Sequence, residues 1–137
     1  MKIEMNEALL VGYAPIDDEH RALLGLVNAF FVLVESGADR QTVYDAVDGL
    51  SVNFAIHCEH EKGWMLAHRY PDTANHLDDH VKLIGELGAM LYRMDEACDD
   101  ALAEVAKFIE NWFADHVKHG DRPLGKFLKE RAVKTGV

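Results

Sequence analysis

The sequence predicts an all-α fold, an antiparallel up-down four-helix bundle with an N-terminal arm and a short C-terminal helix. Three observations support this fold class. Apolar residues recur at steps of three and four along four long segments, the spacing of amphipathic helices. Short stretches with turn-forming or helix-breaking residues separate these segments, and short connections favour antiparallel neighbours. No segment shows a competing strand pattern.

The first predicted elements are an arm and a helix. Residues 1–16 contain a glycine and a proline and show no helical period, so we interpret them as the N-terminal arm. Asp17 is predicted to cap the first helix, because aspartate favours the N-cap and more acidic residues follow it. A broad apolar face continues to Val34, and Ser36-Gly37 is predicted to end the helix.

The second and third helices have clear predicted ends. Asp39 is predicted to cap the second helix, and Pro71 to stop it, because proline cannot continue a helix. Asp72 or Thr73 is predicted to cap the third helix, whose apolar stripe extends to about Met94.

The fourth helix and a shorter fifth one complete the prediction. Residues 95–99 are interpreted as a turn, and the fourth helix is expected to run from near Asp100 to His116. Gly120 is predicted to break it. Pro123 suits the first turn of a short last helix.

Size and charge restrict the class of protein. The 137 residues fit one domain over residues 1–137. The formal charge is -10, with 24 acidic and 14 basic residues, the opposite of the usual sign in nucleic-acid-binding proteins. The longest apolar run is far too short to cross a bilayer. We therefore expect neither a nucleic acid nor a membrane as partner.

The N-terminus and the cysteines indicate a compartment. The first residues lack the basic and apolar regions of a signal peptide. Cys58 and Cys98 do not form a disulfide framework, and two free thiols fit a reducing environment. We expect the protein to be cytoplasmic.

Five of the eight histidines fall, with two acidic residues, at spacings that indicate one common site: His20, His57, Glu61, His76, His80, His116 and Asp121. Residues four apart lie one turn apart on one helix face, so the HxxxE and HxxxH motifs can each reach a single point. Each motif alone is weak, since an HxxxH pair is often a surface coincidence. All four helices contribute, however, and the motifs of the second and third helices continue the apolar stripes.

Burial of these polar residues requires a partner for each. Burying an unpaired polar group costs roughly 1–3 kcal/mol or more, and metal coordination removes that cost. Neutral imidazoles suit iron, copper, zinc or nickel. One tetrahedral zinc needs only four ligands, whereas a carboxylate can bridge two metals, so seven ligands predict a dinuclear site. The residues alone leave the metal open.

The order of these motifs resembles the hemerythrin family, and specifically the single-domain bacteriohemerythrins, over nearly the whole chain. Besides the seven residues, the resemblance rests on the segments Ile16–Glu19, Tyr70-Pro71, Trp112 and Leu124–Leu128. It implies reversible dioxygen binding, as carrier, store or sensor, at two non-haem iron ions with an oxo or hydroxo bridge.

The resemblance also implies a role for each ligand. One iron would take His76, His80 and His116, and the other His20 and His57. Glu61 and Asp121 would bridge them. The second iron then has fewer protein ligands and an open position, where dioxygen can bind.

Five further residues are expected near the dioxygen pocket: Leu23, Cys58, Trp112, Phe113 and Val117. Two of them depart from the family pattern, because Cys58 replaces a usual phenylalanine and Phe113 a usual leucine. Met5 stands near the place of a usual tryptophan in the arm. We interpret Cys58 as a small buried hydrophobic residue in preference to a reactive thiol.

Three histidines lie outside the predicted ligand set. His60 is interpreted as a surface group or a partner of a ligand, and His68 and His119 are expected to be exposed.

A di-iron enzyme, such as a peroxidase, a ferroxidase or a nitric-oxide-handling protein, is the alternative function. Cys58 and His60 are then the only candidate acids or bases beside the ligands. A third hypothesis is a regulatory metal module that signals to a separate protein partner.

Overall fold

The computed structural model describes residues 7–95 and 99–134 as a helical bundle. Five α-helices follow one another along the chain: α1 (Ala14–Glu35), α2 (Arg40–Ala67), α3 (Thr73–Asp95), α4 (Asp99–His116) and α5 (Arg122–Lys134). A 3₁₀ turn (Glu7–Leu9) precedes α1, and a π-helical turn (Val117–Asp121) joins α4 to α5. Helices α1 and α3 each pack against both α2 and α4. The predicted bundle with a short fifth helix is confirmed.

The bundle surrounds one apolar core to which every α-helix contributes. Among its fully buried members are Val27, Phe30, Phe31, Val43, Leu50, Leu87, Ile109 and Leu124. Burial of such a side chain is worth about 1.5–3 kcal/mol relative to leaving it exposed. None of the described helices is long and apolar enough to cross a membrane.

The beginning of α1 differs from the prediction, because Asp17 is not its N-cap. The helix already begins at Ala14, after an extended residue without a side-chain cap, and has proline in its first turn. The Asp17 carboxylate instead accepts hydrogen bonds from the backbone N–H groups of Val11, at 2.8 Å, and Gly12, at 3.2 Å. Asp17 therefore holds the arm against α1. Residues 1–6 of the predicted arm, with Met5, lie outside the described residues.

The predicted start of α2 is confirmed, and its end falls slightly earlier than Pro71. Asp39 caps α2 by accepting a hydrogen bond from the Thr42 N–H at 2.8 Å. The helix ends at Ala67, and Arg69 has a positive φ of 54° before the chain reaches Pro71. Proline commonly follows a helix end in this way.

The ends of α3 and the start of α4 lie close to their predicted positions. Helix α3 begins at Thr73, directly after Asp72, whose carbonyl accepts from the His76 N–H at 3.0 Å. It ends at Asp95, and α4 begins at Asp99. Within the predicted turn, residues 96–98 lie outside the described residues.

The predicted break at Gly120 is wrong. The chain remains helical through the π-helical turn and continues directly into α5. A π turn closes over five residues where an α turn closes over four, so it aligns His116 with Asp121, five positions later. A Cβ atom at Gly120 would lie 3.6 Å from both His116 Nδ1 and His76 Cε1. Gly120 thus packs beside two site histidines without ending the helix.

Helix α5 packs against the N-terminal arm at Gly125. A Cβ atom at Gly125 would lie 2.6 Å from Val11 Cβ and 2.8 Å from the Val11 carbonyl oxygen. Such distances are shorter than van der Waals contact, and one of the obstructing atoms belongs to the backbone. The close approach of the arm and α5 therefore requires glycine.

We predict that Gly125→Ala destabilises the protein by about 1–3 kcal/mol, because the overpacked contact outweighs the gain in helix propensity. Gly85→Ala is the matched control, since this α3 glycine is exposed and a Cβ there meets nothing within 4 Å. Denaturant unfolding measures both changes. Equal stabilities of the two variants would contradict the described contact.

Candidate metal centre

The seven predicted site residues meet inside the bundle. Helix α1 contributes His20, α2 His57 and Glu61, α3 His76 and His80, the last residue of α4 His116, and the π-helical turn Asp121. Each is buried, with an exposed fraction between 0% and 7%. The structure therefore brings together every residue of the predicted constellation.

The Glu61 carboxylate lies between three histidines. Its Oε1 is 2.8 Å from His76 Nε2 and 3.0 Å from His80 Nε2, and its Oε2 is 2.8 Å from His57 Nε2. Since α2 supplies Glu61 and His57 while α3 supplies the other two, both oxygens of one carboxylate face different histidines. This is the arrangement expected of a bridging ligand.

The Asp121 carboxylate forms a similar second centre of contacts. Its Oδ2 is 2.7 Å from both His20 Nε2 and His116 Nε2, and its Oδ1 is 3.1 Å from His76 Nε2. The π-helical turn makes this possible, because it places the aspartate beneath His116 and directs it into the bundle.

The potential ligand atoms form two overlapping groups, within each of which all atoms lie within 4.8 Å of one another. One group holds His20, His57, Glu61, His116 and Asp121, and the other Glu61, His76, His80 and Asp121. Both carboxylates belong to both groups, as two ions sharing two carboxylates would require.

His116 lies where the two groups meet. The family resemblance assigned it to the ion of His76 and His80, whereas its ligand atom groups with those of His20 and His57. Its ring is nevertheless nearer to the His80 ring, at 5.7 Å between centroids, than to the His20 ring, at 6.2 Å. The assignment of His116 to one ion stays a prediction.

Several of these close atoms face one another without forming hydrogen bonds. His57 Nε2, Glu61 Oε2, His80 Nε2, His116 Nε2 and Asp121 Oδ1 are buried without a hydrogen-bond partner. Orphaned polar atoms are costly and rare in protein interiors. Imidazole nitrogens and carboxylate oxygens that converge in this way fit metal ligands. The donor set of imidazoles and carboxylates fits iron among other transition metals.

The histidines and carboxylates also perturb each other's protonation in the metal-free protein. Burial alone would lower the pKa of His57, but the Asp121 and Glu61 carboxylates outweigh it and raise the pKa to about 11. The same balance raises the pKa of His76 to about 9. For Glu61, burial and the Asp121 charge are outweighed by His57, His76 and His80, which lower its pKa to about 2. A metal ion must therefore displace protons from these imidazoles.

Glu19 is a residue of the centre that the sequence analysis did not identify. Its Oε1 lies 2.7 Å from His57 Nδ1, and because a carboxylate can only accept, the imidazole N–H donates. A carboxylate on the outer nitrogen fixes the ring and makes the other nitrogen a stronger ligand. By contrast, His20 Nδ1 and His80 Nδ1 have no hydrogen-bond partner. The position of Glu19 directly before His20 was the one available signal.

The five predicted pocket residues are all buried, but they do not line one described cavity. Leu23 lines a cavity of about 180 Å³ between α1 and α2, together with His57. The Phe113 ring lies 5.8 Å from the His20 ring, and Trp112 lies 4.7 Å from the ring of Phe54, between centroids. The predicted role of these residues around dioxygen therefore stays a prediction.

Cys58 and the three other histidines lie outside the two groups of potential ligand atoms. Cys58 is 5% exposed, and burial with the nearby Glu61 and Asp121 charges raises the pKa of its thiol, so it is a small buried hydrophobic residue. His60 is exposed and hydrogen-bonded to Glu19. His119 is exposed as predicted, while His68 is half-buried.

The comparison with known families agrees with this geometry. Residues 11–128 match the Hemerythrin HHE cation binding domain. The chain belongs to the hemerythrin family. This membership and the buried cluster together show a metal-binding site in the bundle.

Relatives of this protein cover most of its length. It is 28% identical over 130 residues to a bacteriohemerythrin of Ralstonia nicotianae, covering 94% of this chain and 90% of the relative. It is 25% identical over 118 residues to a bacteriohemerythrin of Methylococcus capsulatus, covering 86% and 88%. The single-domain bacteriohemerythrin type suggested by the sequence fits both.

Solved structures show the same fold. A leucine-to-tyrosine mutant of hemerythrin superposes with a TM-score of 0.77 at 21% identity, covering 92% of this chain and 96% of that one. A leucine-to-alanine mutant of hemerythrin gives the same score at 22% identity, covering 93% and 98%. The fold class is thereby confirmed.

We predict that the thermal midpoint of the metal-free protein falls as the pH rises from 6.5 to 9. A raised histidine pKa contributes stability that is full below the unfolded value of 6.5, and it is lost as the pH rises through the folded values of about 9 for His76 and about 11 for His57. Thermal melts with and without chelator test this. The metal-loaded protein is the control, because its imidazoles are neutral ligands throughout. A metal-free midpoint that rises over this interval would contradict the described protonation.

Proposed function

We propose that this protein holds two iron ions and binds dioxygen reversibly, as an oxygen carrier, store or sensor. The observation that supports the proposal best is the sharing of Glu61 and Asp121 between two groups of histidine ligands. A single ion would leave several of the seven buried ligands without a partner. Membership of the family and the names of its bacteriohemerythrin relatives support iron as the metal.

The ligands would be divided unequally between the two ions. Following the family, His76, His80 and His116 would hold one ion, and His20 and His57 the other, with both carboxylates shared. The second ion would then have a position free of protein ligands, where a small molecule can bind. When bound, two ferrous ions supply the electrons that reversible dioxygen binding requires.

Aromatic side chains of the protein shield one side of the site from water. Phe54 lies between the site and the core, with its ring 5.3 Å from His116 and 4.7 Å from Trp112, and Phe113 closes the side of His20. All three aromatic side chains are at most 4% exposed. Exclusion of water by such a wall prevents loss of reactive species to solvent. Apolar, unreactive side chains around this part of the site favour reversible binding over turnover.

We also propose that the protein is cytoplasmic. Cys58 is a free, buried thiol, which is compatible with a reducing compartment.

We predict that the anaerobically reduced iron protein contains two iron ions per chain and changes colour on addition of dioxygen, reversibly when the gas is removed. His20→Ala should lose about one iron per chain and the colour change, because it removes a ligand of the ion with the open position. Iron analysis and absorption spectroscopy measure both. His119→Ala is the matched control, since it removes an exposed histidine outside the ligand groups.

Two results would count against oxygen binding. Immediate oxidation of the reduced protein by air without a reversible spectral change would contradict it. Sustained turnover of peroxide or nitric oxide by the iron form, lost in His20→Ala, would favour the enzyme instead.

A further inference from the structure

A hydrogen-bonded chain leads from the surface to the centre through Glu19. His60 Nδ1 lies 2.6 Å from Glu19 Oε2, and Glu19 Oε1 lies 2.7 Å from His57 Nδ1. Because both carboxylate oxygens accept, each imidazole donates its N–H. One carboxylate of α1 therefore joins two histidines of α2, one at the centre and one at the surface.

The Glu19 side chain is more exposed to solvent than the histidine to which it is hydrogen-bonded. Its side chain is 27% exposed, whereas that of His57 is only 2% exposed. Glu19, His57 and His60 also line the cavity of about 180 Å³ between α1 and α2, which is large enough for water. Water can compete for the carboxylate oxygens, so the hydrogen bond to His57 needs a second constraint on Glu19.

We propose that His60 is a positioning residue, which holds the Glu19 carboxylate against His57 and so increases the affinity of the centre for the ion that His57 binds. Its hydrogen bond occupies the oxygen that does not face His57, leaving the carboxylate fixed at both ends. The ordered carboxylate then keeps His57 in the orientation and tautomer that present Nε2 to the metal. The inference rests on the proposed metal centre, but not on its binding of dioxygen.

Titration of the metal-free protein with Co²⁺, followed by visible absorption, tests this role. His60→Ala should weaken the binding of one of two ions by about tenfold and leave the other unchanged, and Glu19→Ala should weaken it at least as much. His60→Gln should restore most of the affinity, because its amide can donate to Glu19 Oε2. Lys62→Ala, at an exposed position of the same helix, is the control and should bind as the wild type does.

A double-mutant cycle separates positioning from a general effect on folding or charge. If His60 acts only through Glu19, then His60→Ala should change nothing in the Glu19→Ala background. Faster solvent exchange of the His57 Nδ1 proton in zinc-loaded His60→Ala, seen by NMR, is a second expected sign. Unchanged Co²⁺ affinity in His60→Ala, or an equal loss in both backgrounds, would overturn the proposal.

The two proposals fail in different ways. A protein whose Co²⁺ affinity follows this pattern but whose iron form ignores dioxygen would contradict the proposed function and support the role of His60. A protein that binds dioxygen reversibly while His60→Ala keeps full Co²⁺ affinity would do the reverse.

Discussion

The structure depends on one arrangement, two buried carboxylates surrounded by five buried histidines. Glu61 and Asp121 are fully buried, and an unpaired buried charge would be strongly unfavourable. In the metal-free protein, contacts with the neighbouring histidines outweigh the effect of burial and lower the pKa of both carboxyl groups. Metal ions at the same place would satisfy both carboxylates and imidazoles. Helices α1 to α4 each contribute at least one of these groups, so the cluster links the four helices.

The π-helical turn shows how backbone geometry brings a carboxylate into the cluster. An α-helix would align His116 with Gly120, which has no side chain, and would rotate Asp121 away. The wider turn aligns His116 with Asp121 instead and keeps the chain helical into α5. Helix α5 then packs on the arm through Gly125 and Val11, while Asp17 holds the arm on α1. These contacts hold the helix that directly follows Asp121 against the arm and, through the arm, against α1.

Much of the fold and of the candidate site was predictable from the sequence, because residue spacing determines which side chains share a helix face. Apolar periodicity and a few helix-ending residues were sufficient to predict the bundle, and the i,i+4 motifs were sufficient to place four of the candidate site residues on inward faces. The predictions for Asp17 and Gly120 were wrong for the same reason. Both relied on local sequence preferences at helix ends, and tertiary contacts outweigh those preferences in the structure. Asp17 binds the arm instead of capping α1, and Gly120 lies within the π-helical turn instead of ending the helix.

The contacts that the sequence did not predict join residues that are far apart along the chain. Glu19 meets residues 38 and 41 positions away, on another helix, and no single-sequence pattern indicates such a pair. Leu23 and Phe113 were predicted around one pocket, and the structure separates a cavity beside His57 from the aromatic wall beside His20. Side-chain packing decides such details, and periodicity alone does not report it.

The central claim is that Glu61 and Asp121 are shared by two metal ions. Anomalous diffraction at the iron absorption edge from crystals of the iron-loaded protein tests it most directly. The account predicts two iron peaks inside the bundle, each within bonding distance of both carboxylates, with histidines completing the two sites. A single peak, or two peaks that share neither carboxylate, would contradict it.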